Sequence, residues 1–86
     1  MKGNTETSME PRLQQEIQML LSLITASYGK SMDASHAASK LSGICTAIHV
    51  FTGEVWIPRW NDKKQYILVL ENGSECITPN EALKST

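Results

Sequence analysis

The sequence predicts an α+β domain in which two amphipathic helices pack on a small antiparallel β-meander of two to three strands. Three observations carry this prediction. Apolar residues recur at helical spacing over residues 9–27, and a second broad apolar face runs through residues 33–51. From residue 54 onward the pattern shortens to alternation interrupted by turn residues. Runs of helix followed by runs of strand are typical of α+β domains.

The first helix is predicted over about residues 9–27. Ser8 can cap its N-terminus, Pro11 suits the first turn, and Gly29 can adopt the left-handed conformation that commonly ends a helix. Its apolar face is formed by Leu13, Ile17, Leu20, Leu21 and Ile24 and is widened by Met19 and Leu23. A face this wide indicates either a helix buried within its own chain or part of a subunit interface.

Residues 33–51 fit two patterns, because several β-branched residues after Gly43 alternate as they would in a strand. A strand here would have two apolar faces and would need a second cover, whereas a helix would have one broad apolar face. Asp33 is a good N-cap and Gly53 a good stop signal. We therefore predict a second helix over about residues 33–51.

The C-terminal third is predicted to be an antiparallel meander. Its strands are expected at residues 54–60, 65–71 and 74–78. Residues 61–64 suit a four-residue loop, and Asn72-Gly73 suits a tight hairpin turn in which both residues need positive φ. Pro58 cannot donate a hydrogen bond to a neighbouring strand, so its strand should lie at an edge or turn that position outward. The capping-box spacing at Thr78 predicts a final helical turn through Leu83.

Length and charge exclude several classes of protein. The chain has 86 residues, 41% of them hydrophobic, which suffices for one small domain. We assign residues 9–84 to that domain, residues 1–8 to a flexible lead-in and residues 85–86 to a tail. Eight basic and nine acidic residues give a net charge of -1, which removes any general attraction to nucleic acid or anionic lipid. No apolar run is long enough for a membrane span or signal peptide, so we predict a cytoplasmic protein.

Catalytic and metal-binding patterns are sparse. Cys45 and His49 are four residues apart, so one helix face could bring an imidazole to a thiol. Together with His36 and Cys76 they could supply four zinc ligands, but no paired ligand motif is present. The sequence also lacks a nucleophile elbow and a glycine-rich phosphate cradle. We predict a protein that is not an enzyme and has no catalytic residue, metal or other cofactor; a thiol or metal enzyme at Cys45 and His49 is an alternative.

The segment from Val55 to Trp60, with the basic and aromatic residues that follow, is the strongest candidate for binding. Aromatic and arginine side chains dominate protein interfaces, and aromatic rings beside positive charge also bind single-stranded nucleic acid. We predict that a protein partner binds at Trp56, Arg59, Trp60, Lys63, Lys64 and Tyr66. Sequence-tolerant nucleic-acid binding is an alternative, less favoured because Glu54 and Asp62 dilute the positive charge. A third interpretation places both indoles in the core.

Self-association is the second binding prediction. A chain this short buries a limited fraction of its surface, so a second subunit would stabilise it. We therefore predict a homodimer whose interface uses Met19, Leu20, Leu23, Ile24, Val55 and Ile57. The combined prediction is a small regulatory or adaptor module.

Residues 33–59 resemble part of one known family. Asp33 with His36, then Ile44-Cys45, then the run Gly53-Glu54-Val55-Trp56-Ile57-Pro58-Arg59 are similar to the N-terminal dimerisation segment of the Mor/C phage transcription activators, with a small insertion. The resemblance implies a phage-derived regulator and a symmetric dimer in which this helix and strand form the interface. The activators continue into a helix-turn-helix, whereas this chain continues into the predicted hairpin, so the resemblance does not extend to DNA reading.

Overall fold

Residues 9–79 are the part of the chain that the computed structural model describes. They form helices α1 (Pro11–Ala26) and α2 (Met32–Thr52) and strands β1 (Trp56–Trp60), β2 (Tyr66–Leu70) and β3 (Cys76–Ile77). The strands make one antiparallel sheet in the order β1-β2-β3. The α+β prediction is confirmed. The predictions for residues 1–8 and for the C-terminal helical turn and tail fall on or extend into residues outside the described part.

The two helices pack side by side on one face of the sheet. α1 lies against β2 and β3, and α2 lies against β1. Buried side chains from all five elements meet between the layers: Ile17, Leu20, Leu21, Ile24, Ala34, Ala37, Leu41, Ile48, Trp56, Leu68, Leu70 and Ile77. Among residues 9–79, no helix packs on the other face of the sheet, where alternation places Ile57, Arg59 and the buried Ile67.

The ends of α1 differ slightly from the prediction. Glu10 is the N-cap, and its carboxylate accepts a hydrogen bond from the Leu13 N–H at 2.9 Å. The predicted start at residue 9 with Ser8 as cap is wrong, because Pro11 occupies the first helical position, where its missing N–H costs nothing. The predicted stop is confirmed: Gly29 has a φ of 78°, and its N–H donates to the Ile24 carbonyl at 2.8 Å.

The ambiguous residues 33–51 lie within helix α2, so the helix prediction is confirmed. Its N-cap is Ser31, whose hydroxyl accepts a hydrogen bond from the Ala34 N–H at 2.9 Å, so the predicted cap Asp33 lies inside the first turn instead. A carboxylate in that turn still interacts favourably with the helix dipole. At the other end, the Gly53 N–H donates to the His49 carbonyl at 2.9 Å.

β1 is an edge strand, as Pro58 predicts. Two backbone hydrogen bonds lie just beyond the ends of the β1–β2 pairing: the Asn61 N–H donates to the Gln65 carbonyl, and the Glu71 N–H donates to the Val55 carbonyl. Because hydrogen-bonded and non-hydrogen-bonded pairs alternate along an antiparallel pair, the odd-numbered residues of β1 form the hydrogen-bonded pairs with β2. The even-numbered residues therefore direct their backbone groups toward the free edge. Pro58 lies at one of these outward positions, where it has no donor to lose within the sheet.

β2 and β3 pair in the predicted register, but the backbone of the turn between them has a different conformation from the one predicted. Leu68 pairs with Ile77, as a hairpin centred on Asn72-Gly73 requires. The expectation of positive φ at both turn residues is wrong, because only Gly73 has one, at 80°. The turn is closed by the Gly73 N–H, which donates to the Leu70 carbonyl at 2.7 Å. Asn72 instead uses its side chain to accept a hydrogen bond from the Ser74 N–H.

The loop between β1 and β2 has three residues, 62–64, because Asn61 and Gln65 are still bonded to each other. The predicted four-residue loop is therefore wrong by one position. Lys64 has a φ of 63°, the left-handed position that closes a three-residue hairpin loop and usually holds glycine. Asn61 Oδ1 accepts hydrogen bonds from the N–H groups of Lys63 and Gln65, both at 2.9 Å, which holds the loop in this conformation.

Lys64→Gly is expected to raise the free energy of unfolding by about 0.5–1 kcal/mol. The substitution removes the steric cost of positive φ, which exceeds the extra chain entropy that glycine brings to the unfolded state. Urea denaturation followed by circular dichroism measures the change. Lys63→Gly, at a neighbouring position without positive φ, is the control and is expected to be neutral or destabilising; equal losses in both variants would contradict this account.

Candidate functional site

Three aromatic side chains meet at one end of the domain. The ring centroids of Tyr28 and Trp60 are 4.6 Å apart and those of Trp60 and Tyr66 are 5.0 Å apart. We call these three residues the aromatic cluster. Trp60 is half-buried between the two tyrosines, while Tyr28 is exposed. The cluster joins the α1–α2 loop to the β1–β2 hairpin, two segments that are far apart in the sequence.

The backbone around the aromatic cluster is held at several points. The Tyr66 N–H donates to Thr25 Oγ1 at 2.9 Å, which ties the start of β2 to α1. Asn61 Nδ2 donates to Gln65 Oε1 at 3.1 Å, in addition to the loop bonds described above. A Cβ at Gly29 would lie 3.6 Å from Trp60 Cζ2, so the helix-ending loop packs directly on the indole. The cluster is therefore preorganised on a braced hairpin.

Basic residues lie in the two loops that the aromatic cluster joins. Lys30 follows Tyr28 and Gly29, and Lys63 and Lys64 form the hairpin tip; all three are exposed. We call these three lysines the basic rim. Asp62 at the same tip and Asp33 in the first turn of α2 are acidic residues of this end. At the opposite end of the domain, four carboxylates outnumber Arg12: Glu10, Glu54, Glu71 and Glu75 lie near the other ends of the helices and strands. Charge is thus separated along the long direction of the strands, although the whole chain has a net charge of only -1.

The structure brings together four of the six predicted partner-binding residues: Trp60, Lys63, Lys64 and Tyr66. Arg59 is exposed one position earlier on β1, and alternation places its side chain on the uncovered face of the sheet. Trp56 is only 4% exposed and belongs to the core, where its Nε1 donates to Glu54 Oε1 at 3.1 Å. The structure corrects the prediction for Trp56, because a buried indole at the far end of β1 offers no surface to a partner.

Tyr28 and Lys30 are the residues of this end that sequence reasoning missed. Both lie in the α1–α2 loop, next to the glycine that ends α1. Their position beside Trp60 depends on how the helix pair docks on the sheet, and no local pattern encodes that docking. The available signal was an aromatic residue in a helix-ending loop, which by itself indicates nothing about its neighbours.

The six predicted dimer-interface residues do not form one surface. Leu20 and Ile24 are buried in the core, so the prediction that they contact a second subunit is corrected. Met19 and Leu23 are exposed on the helical layer, where they line a groove of about 700 Å³ between α1 and α2. Ile57 is exposed on the opposite side of the molecule, on the uncovered face of the sheet, and Val55 is half-buried before β1 and lines a second groove.

Cys45 and His49 line that second groove, which has a volume of about 460 Å³ and lies between α2 and β1. Burial raises the pKa of the Cys45 thiol, so the thiol is protonated at neutral pH and is a poor nucleophile. His36 lines the other groove and Cys76 is exposed on β3. Within residues 9–79, no group of three His, Cys, Asp or Glu side chains could hold a metal ion. The zinc alternative is therefore not supported.

Comparisons with known proteins assign this chain to no family. No family model, curated protein or solved structure matches this chain. The helices within residues 9–79 are too short or too polar to cross a membrane.

Proposed function

We propose that this chain is a small non-enzymatic interaction module with a regulatory role, which forms a homodimer and binds an acidic protein partner through the aromatic cluster and the basic rim. One observation carries the binding proposal: Trp60 is half-buried between two tyrosines, and the two loops that meet there contain three exposed lysines. Interface hot spots have this composition, with a rigid aromatic anchor inside a polar rim.

The ring geometry favours a protein partner over single-stranded nucleic acid. The Tyr28 and Trp60 planes are inclined by 54°, and the Trp60 and Tyr66 planes by 57°. In such tilted pairs the ring edges point toward the ring faces of their neighbours. Base stacking needs free ring faces along a strand, whereas Trp60 is half-buried and has a tyrosine ring within 5.0 Å on two sides. A protein side chain that packs against the ring edges needs no free face.

The basic rim indicates the chemistry of the partner. Three exposed lysines against Asp33 and Asp62 give the aromatic end a net positive charge, which accelerates encounter with an acidic surface and disfavours a basic one. The acidic end of the domain repels the same partner. We therefore expect the partner to combine carboxylates with at least one apolar side chain that contacts Trp60 or Tyr28.

A random library of 12-residue peptides displayed on phage tests this proposal when it is selected on the immobilised full chain. We expect the enriched peptides to combine Asp or Glu with Leu, Phe or Trp. Their affinity, measured by fluorescence anisotropy, should fall at least tenfold in the double variant Lys63→Glu/Lys64→Glu, which reverses two charges of the rim. Tyr28→Ala, which removes an exposed ring, should also weaken binding.

The matched control is the double variant Glu71→Lys/Glu75→Lys, which reverses two charges at the opposite end and should keep the affinity within about threefold. Equal binding to both double variants, or enrichment of peptides without acidic residues, would overturn the proposal. A fluorescent oligothymidylate that binds more tightly than every selected peptide would support the nucleic-acid alternative instead.

A further inference from the structure

α2 exposes a line of side chains that carries no charge. Residues at alternating steps of four and three lie along one side of a helix. In α2 this spacing connects Met32, His36, Ser39, Gly43, Thr46 and Val50, all of which are exposed. We call these six residues the α2 stripe. None of them is Asp, Glu, Lys or Arg, although solvent-facing helix surfaces normally carry such residues. Depletion of charge is typical of the centre of a protein interface.

The stripe has large apolar side chains at its ends and small ones at its centre. Met32 is 74% exposed and Val50 is 71% exposed. They are 18 residues apart, which is five turns of about 3.6 residues, so they lie on the same line. At the centre, Gly43 costs α2 about 0.5–1 kcal/mol relative to alanine. A Cβ added at Gly43 would have no atom of the described residues within 4 Å, apart from the chain neighbours and the nearby backbone of α2. Packing among the described residues therefore does not explain this glycine.

Side-chain size along the stripe decreases from each end toward the centre. When two copies of α2 run antiparallel about a two-fold axis near residue 41, Met32 faces Val50 of the second copy, His36 faces Thr46 and Ser39 faces Gly43. Large side chains then meet at both ends and small ones at the crossing, which lets the helices approach closely. We propose that a second copy of this chain packs antiparallel on the α2 stripe. This inference rests on the homodimer part of the proposed function and assigns its interface to α2.

The exposed area agrees with a dimer. Five exposed apolar side chains lie on the helical layer: Met19, Leu23, Met32, Val50 and Phe51. Their exposed fractions correspond to on the order of 600 Å² in total, which is an upper limit on what these side chains contribute to the ~800 Å² that each partner buries in a standard interface. His36 and Ser39 of the stripe also line the groove that contains Met19 and Leu23, so the stripe and these two α1 residues border one groove, together with the charged residues Glu16, Asp33 and Lys40.

Charge favours a second copy over a different partner. The two charged residues of α2, Asp33 and Lys40, have opposite signs, so this face does not select for an acidic or a basic molecule. In the antiparallel pair the two Lys40 side chains lie near the two-fold axis. Added salt screens their repulsion and leaves the apolar contacts intact. Association through the α2 stripe is therefore expected to persist or strengthen as salt increases, unlike binding at the basic rim.

Light scattering of the full chain over a hundredfold concentration range, at 50 mM and 500 mM salt, tests the inference. We expect a molar mass that rises to twice the 9.5 kDa chain mass at both salt concentrations. Gly43→Arg should stay at the chain mass, because the large side chain blocks the helix crossing. The open space at Gly43 and the better helix propensity of arginine keep the monomer folded, which circular dichroism of the dilute variant verifies.

Ala38→Arg is the matched control, since Ala38 is exposed on the side of α2 that faces β1. This variant should dimerise like the natural chain. A natural chain that stays at 9.5 kDa throughout, or a Gly43→Arg variant that still dimerises, would overturn the inference. The double variant Lys63→Glu/Lys64→Glu should remain dimeric while losing peptide binding, so failure of one proposal is distinguishable from failure of the other.

Disulfide crosslinking tests the antiparallel arrangement. In a Cys45→Ala/Cys76→Ser background, a mixture of Met32→Cys and Val50→Cys chains should form crosslinked heterodimers under mild oxidation. Each variant alone should crosslink poorly, because its two thiols lie at opposite ends of the helix pair. Efficient crosslinking of Met32→Cys with itself would indicate parallel helices and overturn the proposed arrangement.

Discussion

Replacing Trp56 with alanine is expected to lower the free energy of unfolding by about 3–5 kcal/mol. The indole is 4% exposed and packs in the core between the helices and the sheet. Its removal leaves a large cavity, and the Glu54 carboxylate loses the N–H that donates to it. Urea denaturation followed by circular dichroism measures the loss.

Ile57→Ala is the control for this prediction, because Ile57 is adjacent on the same strand but is 44% exposed on the other face of the sheet. It should cost less than about 1 kcal/mol. Equal losses at the two positions would contradict the assignment of Trp56 to the core. The free energy of unfolding of a domain of this size is only about 5 kcal/mol or somewhat more. We therefore expect Trp56→Ala to be largely unfolded at 37 °C.

Leu21→Ala has the second largest expected effect, a loss of about 2–5 kcal/mol. Leu21 is fully buried, with 0% of its surface exposed, on the side of α1 that faces the sheet and α2. Removal of three heavy atoms from this position leaves a cavity that the neighbouring elements fill only in part.

Leu23→Ala is the matched control, with the same residue type on the same helix. Leu23 is 41% exposed, and its substitution should cost about 1 kcal/mol or less when measured in dilute solution. A loss at Leu23 that equals the loss at Leu21 would show that the outer face of α1 is also buried in the folded state, as it would be in a dimer that persists under those conditions.

Local patterns were sufficient to predict the elements of the fold. The spacing of apolar residues in α1, the caps and stop signals of α2 and the alternation in the meander each depend on neighbours within a few residues. The choice of helix over strand for residues 33–51 was correct, because one broad apolar face can be covered by a single layer. The errors concerned the conformation of short turns, where the backbone at Asn72 and Lys64 depends on hydrogen bonds to specific side chains.

The candidate site was only partly predictable, because it depends on contacts between distant segments. Strand alternation correctly placed Trp56 and Trp60 on the same face of β1, yet it could not show that one indole lies in the core and the other at an end. That difference arises from where the α1–α2 loop reaches the sheet. Tyr28 packs on Trp60 across 32 positions of sequence, and the sequence alone contains no signal for this contact.

The position of Pro58 has a consequence for aggregation. A sheet edge with a full set of free donors and acceptors is a template on which other chains can add strands and build fibrils. Pro58 removes the donor from the middle outward-facing position of β1, so an added strand would lose a bond at the centre of its ladder. β3, the other edge, has only two residues, Cys76–Ile77. Open-ended growth of the sheet is thus disfavoured at both edges, and the described domain can be present at high concentration without polymerising through them.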